Sequence, residues 1–189
     1  VMQKIVEING SNLTIEDVVA VARFGAKVKL DEKQKDTILV SRKYVEDAIL
    51  NKIPIYGINT GFGKFENVPI SEKELELLQK NLIYSDACGV GEAFDTEVVR
   101  AMMLLRANAI SKGFSGVMIE TIECLLNMLN AGVHPIVRSK GSVGSSGDLC
   151  PLAHMVLPMM GEGEAEYNGE ILPGKEAMKR AGISTITLK

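Results

Sequence analysis

Residues 141 to 147, Gly-Ser-Val-Gly-Ser-Ser-Gly, place three glycines and three serines in seven positions, and the chain then turns apolar through Asp148-Leu-Cys-Pro-Leu-Ala-His154. A connecting loop has no need of glycine at every third position, Gly141, Gly144 and Gly147. The first chemistry to test is a serine nucleophile. An elbow that presents such a serine reads Gly-x-Ser-x-Gly, and neither Ser145 nor Ser146 is framed that way. With only two histidines in the chain, His134 and His154, a serine–histidine pair is thinly supported. An anion site is the second option, since a helix opening after Asp148 offers free backbone amides. The Asp148 carboxylate would repel that anion.

The third option uses the backbone itself. In Ser145-Ser146-Gly147 the amide nitrogen of Gly147 can attack the carbonyl carbon of Ser145 and close a five-membered ring. Glycine suits that role because it has no side chain in the way and reaches compressed torsions cheaply. Ring closure releases one water, and loss of a second from Ser146 leaves an exocyclic methylidene. That group is an electrophile no standard side chain supplies. Spacing alone leaves the plain loop, the anion site and the self-made electrophile all open.

A second glycine-rich stretch, "YGINTGFGKF" from Tyr56 to Phe65, resists the usual phosphate readings. A phosphate loop needs four residues between its glycines and a Ser or Thr after the lysine. Gly57 and Gly63 are one residue too far apart, and Phe65 follows Lys64. A dinucleotide fingerprint fails because Gly61-Phe62-Gly63 lacks the third glycine and its strand context. By itself the stretch reads as a tight surface loop.

These loops need elements to hold them. "QKIVEING" predicts a short strand and turn. Thr14 with Asp17 forms a capping box for a helix that Gly25 stops. Asp31 opens a long helix to about Asn51, and Ser71 with Glu74 opens the next. A helix begins near Asp95 with Gly113 as terminator, and Ser115 caps another that Gly132 stops. Asp148 and Pro151 suit the first turn of a helix running through His154. Asn168-Gly169 between two extended runs predicts a type I′ hairpin, and a last helix runs from Gly174 to Ala181. The expected fold is therefore mainly α with a few short strands.

Bulk properties narrow the partners. The chain has 189 residues, is 46% hydrophobic and carries a net charge of -3, the profile of an ordinary globular domain. No cluster of Lys and Arg suggests nucleic acid or a membrane surface. No apolar run approaches the roughly 20 residues of a membrane span, and no charged-then-apolar leader opens the chain. Cys88, Cys124 and Cys150 are scattered without a CxxC pair, so buried thiols in a reducing cytoplasm are expected and a zinc site is not. The methionines read as core packing. Arg100 and Arg106, six apart in an apolar helix, are expected in structural ion pairs. His154 stands between a packing role and a site role. The opening Val1-Met2 and the uncapped "ISTITLK" at the end lead us to expect a piece of a longer protein.

Four segments taken together go beyond spacing. "GSVGSSGDLCPLAH", "YGINTGFG", "SDACGVGE" and "LLRANAISKGFSGV" occur in this order and resemble the aromatic amino acid ammonia-lyases, the histidine ammonia-lyases most. The resemblance runs the length of the chain. It implies that residues 1–189 are the amino-terminal, prosthetic-group-bearing domain of a protein of the ammonia-lyase/fumarase-like superfamily, with the central helical bundle and carboxy-terminal part absent. It further implies a 4-methylidene-imidazole-5-one (MIO) formed from Ser145, Ser146 and Gly147, with neither metal nor nucleotide. Ser146 supplies the methylidene. The family usually has alanine where Ser145 stands, but ring closure uses only that residue's carbonyl.

Tyr56 matches the family's catalytic tyrosine, which removes the substrate β-proton. A phenol acts as a base only where a neighbouring cation or helix terminus favours the phenolate. Asp86 departs from the histidine common at its position. A carboxylate there can hold an imidazole N–H through a charge-assisted bond but would suit a phenyl ring poorly. Asp86 is thus expected to bind substrate, with a helix-end cap as its plain alternative. The implied reaction eliminates ammonia from L-histidine to give urocanate, the first step of histidine degradation, in a cytoplasmic homotetramer. The alternatives are a tyrosine or phenylalanine ammonia-lyase, an aminomutase with the same group, or a catalytically inactive fragment.

Overall fold

Two short strands near the amino terminus alternate in burial residue by residue. In β1 (Ile5–Ile8) Val6 and Ile8 point inward, and in β2 (Lys27–Leu30) Val28 and Leu30 do. The computed structural model, which describes residues 4–66, 68–145 and 147–188, pairs them in parallel with Val6 opposite Val28. Helix α1 (Ile15–Ala22) makes the crossover, and its capping box forms as expected, with Thr14 and Asp17 satisfying each other's backbone amides. On the outer side of β2 the Asn130 side chain accepts from the Val28 N–H at 2.8 Å and donates to the Val28 carbonyl at 2.8 Å.

The other helices are α2 (Glu32–Leu50), α3 (Glu72–Asp86), α4 (Thr96–Ile110), α5 (Ile119–Ala131), α6 (Leu149–Val156) and α7 (Gly174–Arg180). On α4, Val99, Met103, Leu104, Ala107 and Ile110 recur at helical spacing and are buried. They pack against Val21 of α1 and the Ile122, Leu125, Met128 and Leu129 face of α5. Of the methionines expected in the core, Met103, Met128, Met155 and Met159 lie fully inside, whereas Met102, Met118 and Met160 are half-buried.

Among the described residues, five further strands complete the frame. β3 (Val90–Ala93) pairs antiparallel with β5 (Arg138–Lys140), while β4 (Val133–Pro135), β6 (Glu164–Tyr167) and β7 (Glu170–Pro173) form one antiparallel sheet. Asn168 and Gly169 both adopt positive φ, as a type I′ turn requires.

Several expectations need correction. α5 begins at Ile119 with Met118 as its N-cap, so Ser115 caps nothing; the Gly116 N–H is instead held by Ser41 Oγ of α2 at 3.0 Å. Ser71 precedes α3, but its hydroxyl bonds the Glu74 carboxylate and no backbone amide. Cys124 and Cys150 are buried and Cys88 is exposed; burial pushes the Cys124 thiol up to about 11.

Arg100 makes no ion pair among the described residues. Its Nε donates to the Val21 carbonyl at 3.0 Å, and Nη1 donates to the Leu129 carbonyl at 3.1 Å and lies 3.0 Å from His134 Nε2. Those carbonyls belong to the last turns of α1 and α5, which lack partners within their own helices. His134 Nδ1 in turn bonds Glu166 Oε2. Arg106 is exposed, with no carboxylate partner among the described residues.

Candidate active site

The β3–β5 pair brings two of the singled-out segments to one place. β3 starts directly after Gly89 and β5 ends directly before Gly141, with Val90 opposite Lys140. The glycines then allow an approach that no side chain would. A Cβ on Gly141 would overlap the Cys150 sulfur and come 3.1 Å from Gly89 Cα. A Cβ on Gly89 would come 2.8 Å from His154 Nε2 and 3.1 Å from both Arg138 Cβ and Cys150 Sγ. The Gly89 N–H donates to His154 Nε2 at 2.9 Å. The Arg138 guanidinium donates to the Gly91 carbonyl at 3.4 Å.

Asp86 stands at this junction. It is the last residue of α3, half-buried, and its carbonyl accepts from the Cys88 N–H at 2.9 Å. Its charge reaches the Cys150 thiol, which burial above all holds above the ordinary range. α3, which ends at Asp86, packs against the helix that follows the serine loop.

The loop itself is exposed. Ser142 Oγ donates to Asp148 Oδ1 at 2.6 Å and accepts from the Gly144 N–H at 3.3 Å, tying the two ends together. Asp148 is the N-cap residue of α6 and its side chain caps no amide; its carboxylate, held by Ser142, disfavours an anion there. Gly144 and Gly147 have φ of +68° and +90°, and among the described residues nothing lies within 4 Å of where their side chains would be. Ser145 is exposed, and Ser146 lies outside the described residues.

Tyr56 sits apart. It is 59% exposed, its hydroxyl accepts from the Gly63 N–H at 3.4 Å, and its ring meets Phe62 edge-on at 5.6 Å. Among the described residues no hydrogen bond or ring contact ties Tyr56 to the serine loop or Asp86. Its loop is organised by buried Asn59, which accepts from the Ile55 N–H and donates to the Ile53 carbonyl, both at 2.8 Å. Sequence reasoning singled out neither Asn59 nor the Gly89–His154 bond. The second spans 65 residues, and no local pattern announces it.

A family model described as aromatic amino acid lyase matches residues 13–189. The chain is 91% identical over its whole length to histidine ammonia-lyase 2 of Fusobacterium nucleatum subsp. nucleatum, of which it spans 37%. It is 58% identical to the histidine ammonia-lyase of Clostridium tetani, covering 98% of this chain and 36% of that one. Among solved structures, ergothionase from Treponema denticola superposes with a TM-score of 0.94 at 31% identity, over 98% of this chain and 37% of that one. Histidine ammonia-lyase from Trypanosoma cruzi gives 0.91 at 35% identity, over 97% and 36%. Phenylalanine aminomutase of Pantoea agglomerans gives 0.90 at 34%, over 98% and 36%.

Proposed function

The chain belongs to the aromatic amino acid lyase family, and from that premise we propose that the protein it forms part of eliminates ammonia from L-histidine to give urocanate. The observation that carries the substrate is Asp86 at the junction with the serine loop's helix, where a carboxylate can accept an imidazole N–H. Relatives named for histidine at 91% and 58% identity support the same reading.

The residues present suit the family's prosthetic group. Gly147 has a positive φ and, among the described residues, open space where a side chain would stand, and the loop ends are pinned by Ser142 and Asp148. Ser145, Ser146 and Gly147 would form the methylidene-imidazolone, which supplies an electrophilic carbon for the substrate amine. Tyr56 takes the β-proton in this reading, and Asp86 orients the ring. Tyr56 is well exposed, so the remainder of the protein and neighbouring subunits of a homotetramer complete its surroundings. The protein works in the cytoplasm on a small amino acid, without metal or nucleotide. No helix among the described residues is long and apolar enough to cross a membrane.

The test uses the full-length protein. Its intact mass is expected to fall short of the sequence mass by two waters. Given L-histidine, L-tyrosine and L-phenylalanine in turn, it should release ammonia fastest from histidine. An unreduced mass, a preference for phenylalanine, or a β-amino acid product would each overturn the reading.

A further inference from the structure

His154 bonds directly from the helix behind the serine loop to the turn bearing Asp86, beside the Cys150 thiol that bonds Cys88 in the same turn. It lies on α6, eight positions beyond Ser146, and Gly89, whose N–H donates to it, lies three beyond Asp86. To accept the Gly89 N–H, Nε2 must be unprotonated, which puts the ring proton on Nδ1. Arg138 faces the ring from β5, and Cys150 lines the same junction from α6 itself. Asp86 and Cys88 approach that junction from the end of α3. Burial first, and the Arg138 charge second, hold His154 below the ordinary histidine range, so the acceptor persists at neutral pH.

We propose that His154 is a positioning residue: by accepting the Gly89 N–H it holds the Asp86–Gly89 turn in register with the serine loop's helix and so fixes where Asp86 meets the substrate ring. Its consequence for turnover rests on the ammonia-lyase reading; the hydrogen bond does not. A histidine that only fills space could be replaced by any side chain of similar size. One that holds the turn can be replaced only by another acceptor.

Two variants of the full-length protein separate these roles. His154→Phe keeps the volume and removes the acceptor, and His154→Gln keeps an acceptor. Hydrogen exchange of the peptide covering residues 86–91 reads the turn directly, with or without turnover. In His154→Phe the Gly89 amide should exchange at least about fivefold faster, and KM for L-histidine should rise about fivefold with a smaller change in kcat, the loss of one hydrogen bond. His154→Gln should restore both. Unchanged exchange in His154→Phe, equal behaviour of the two variants, or faster exchange with unchanged KM would each overturn the proposal. If the wild-type protein does not turn over histidine, the functional reading falls, and the exchange difference between Phe and Gln still decides the positioning.

Discussion

Gly141 shows how tightly single residues are specified beside the serine loop. Alanine there would drive its methyl into the Cys150 sulfur and against the Gly89 backbone. Gly141→Ala is expected to cost about 1–3 kcal/mol of stability, the usual range for overpacking, read as a lowered melting temperature of the full-length protein. Removing the offending sulfur in Gly141→Ala with Cys150→Ala should recover part of that loss, and no recovery would refute the account. The glycine pattern that raised the question of chemistry was legible in sequence, and Gly147 does take a conformation that favours glycine. The reason for Gly141 was not legible, because Cys150 and Gly89 reach it only through the fold. Arg100 is a similar case, since an arginine in an apolar helix suggested an ion pair and only tertiary packing supplies two helix-end carbonyls.

At the scale of elements, the helices were read well and most strands were not. Caps and stops such as Thr14, Asp31, Gly132 and Gly182 are local signals, and the helices begin or end where these residues stand. β3, β4 and β5 have three or four residues each. So short a run holds too few alternations to read, and long-range pairing decides it. One such strand, β4, carries His134 between Glu166 of β6 and Arg100 of α4. Burial, with the Arg100 charge, outweighs the Glu166 carboxylate and keeps His134 below the ordinary histidine range. Burial works against Glu166 ionising, yet hydrogen bonds from His134 and the Gly169 N–H hold its carboxyl low.

A histidine so depressed binds its proton more readily in the unfolded chain. Stability is therefore complete above the unfolded value and falls as pH drops below about 6.5. His154 acts in the same direction. The melting temperature of the full-length protein should decline on acidification through this window, and His134→Gln should flatten the slope. An unaltered slope in that variant would count against the network.

For the whole molecule, the proposed site residues are laid out in pieces. Asp86 and the serine loop's helix meet, while Tyr56 stands in its own loop with more than half its surface open. Large apolar side chains are also uncovered, among them Val40, Tyr44 and Leu50 of α2 and Phe114 after α4. The chain spans 37% of the length of its Fusobacterium relative, and we expect the missing surroundings to be required. The 189-residue chain alone should release no ammonia from L-histidine under conditions where the full-length protein does, measured by urocanate absorbance. Turnover by the short chain would show that these residues suffice.

A chain with so much uncovered surface faces a hazard before its surroundings are in place, and Asn130 bears on it. A two-stranded parallel pair leaves its outer strand with unpaired peptide groups, a template on which another chain can add a strand. By meeting both the N–H and the carbonyl of Val28, the Asn130 amide takes the place of that incoming strand. The β2 edge is thereby denied to an incoming strand at Val28, by one side chain borrowed from the last turn of a helix.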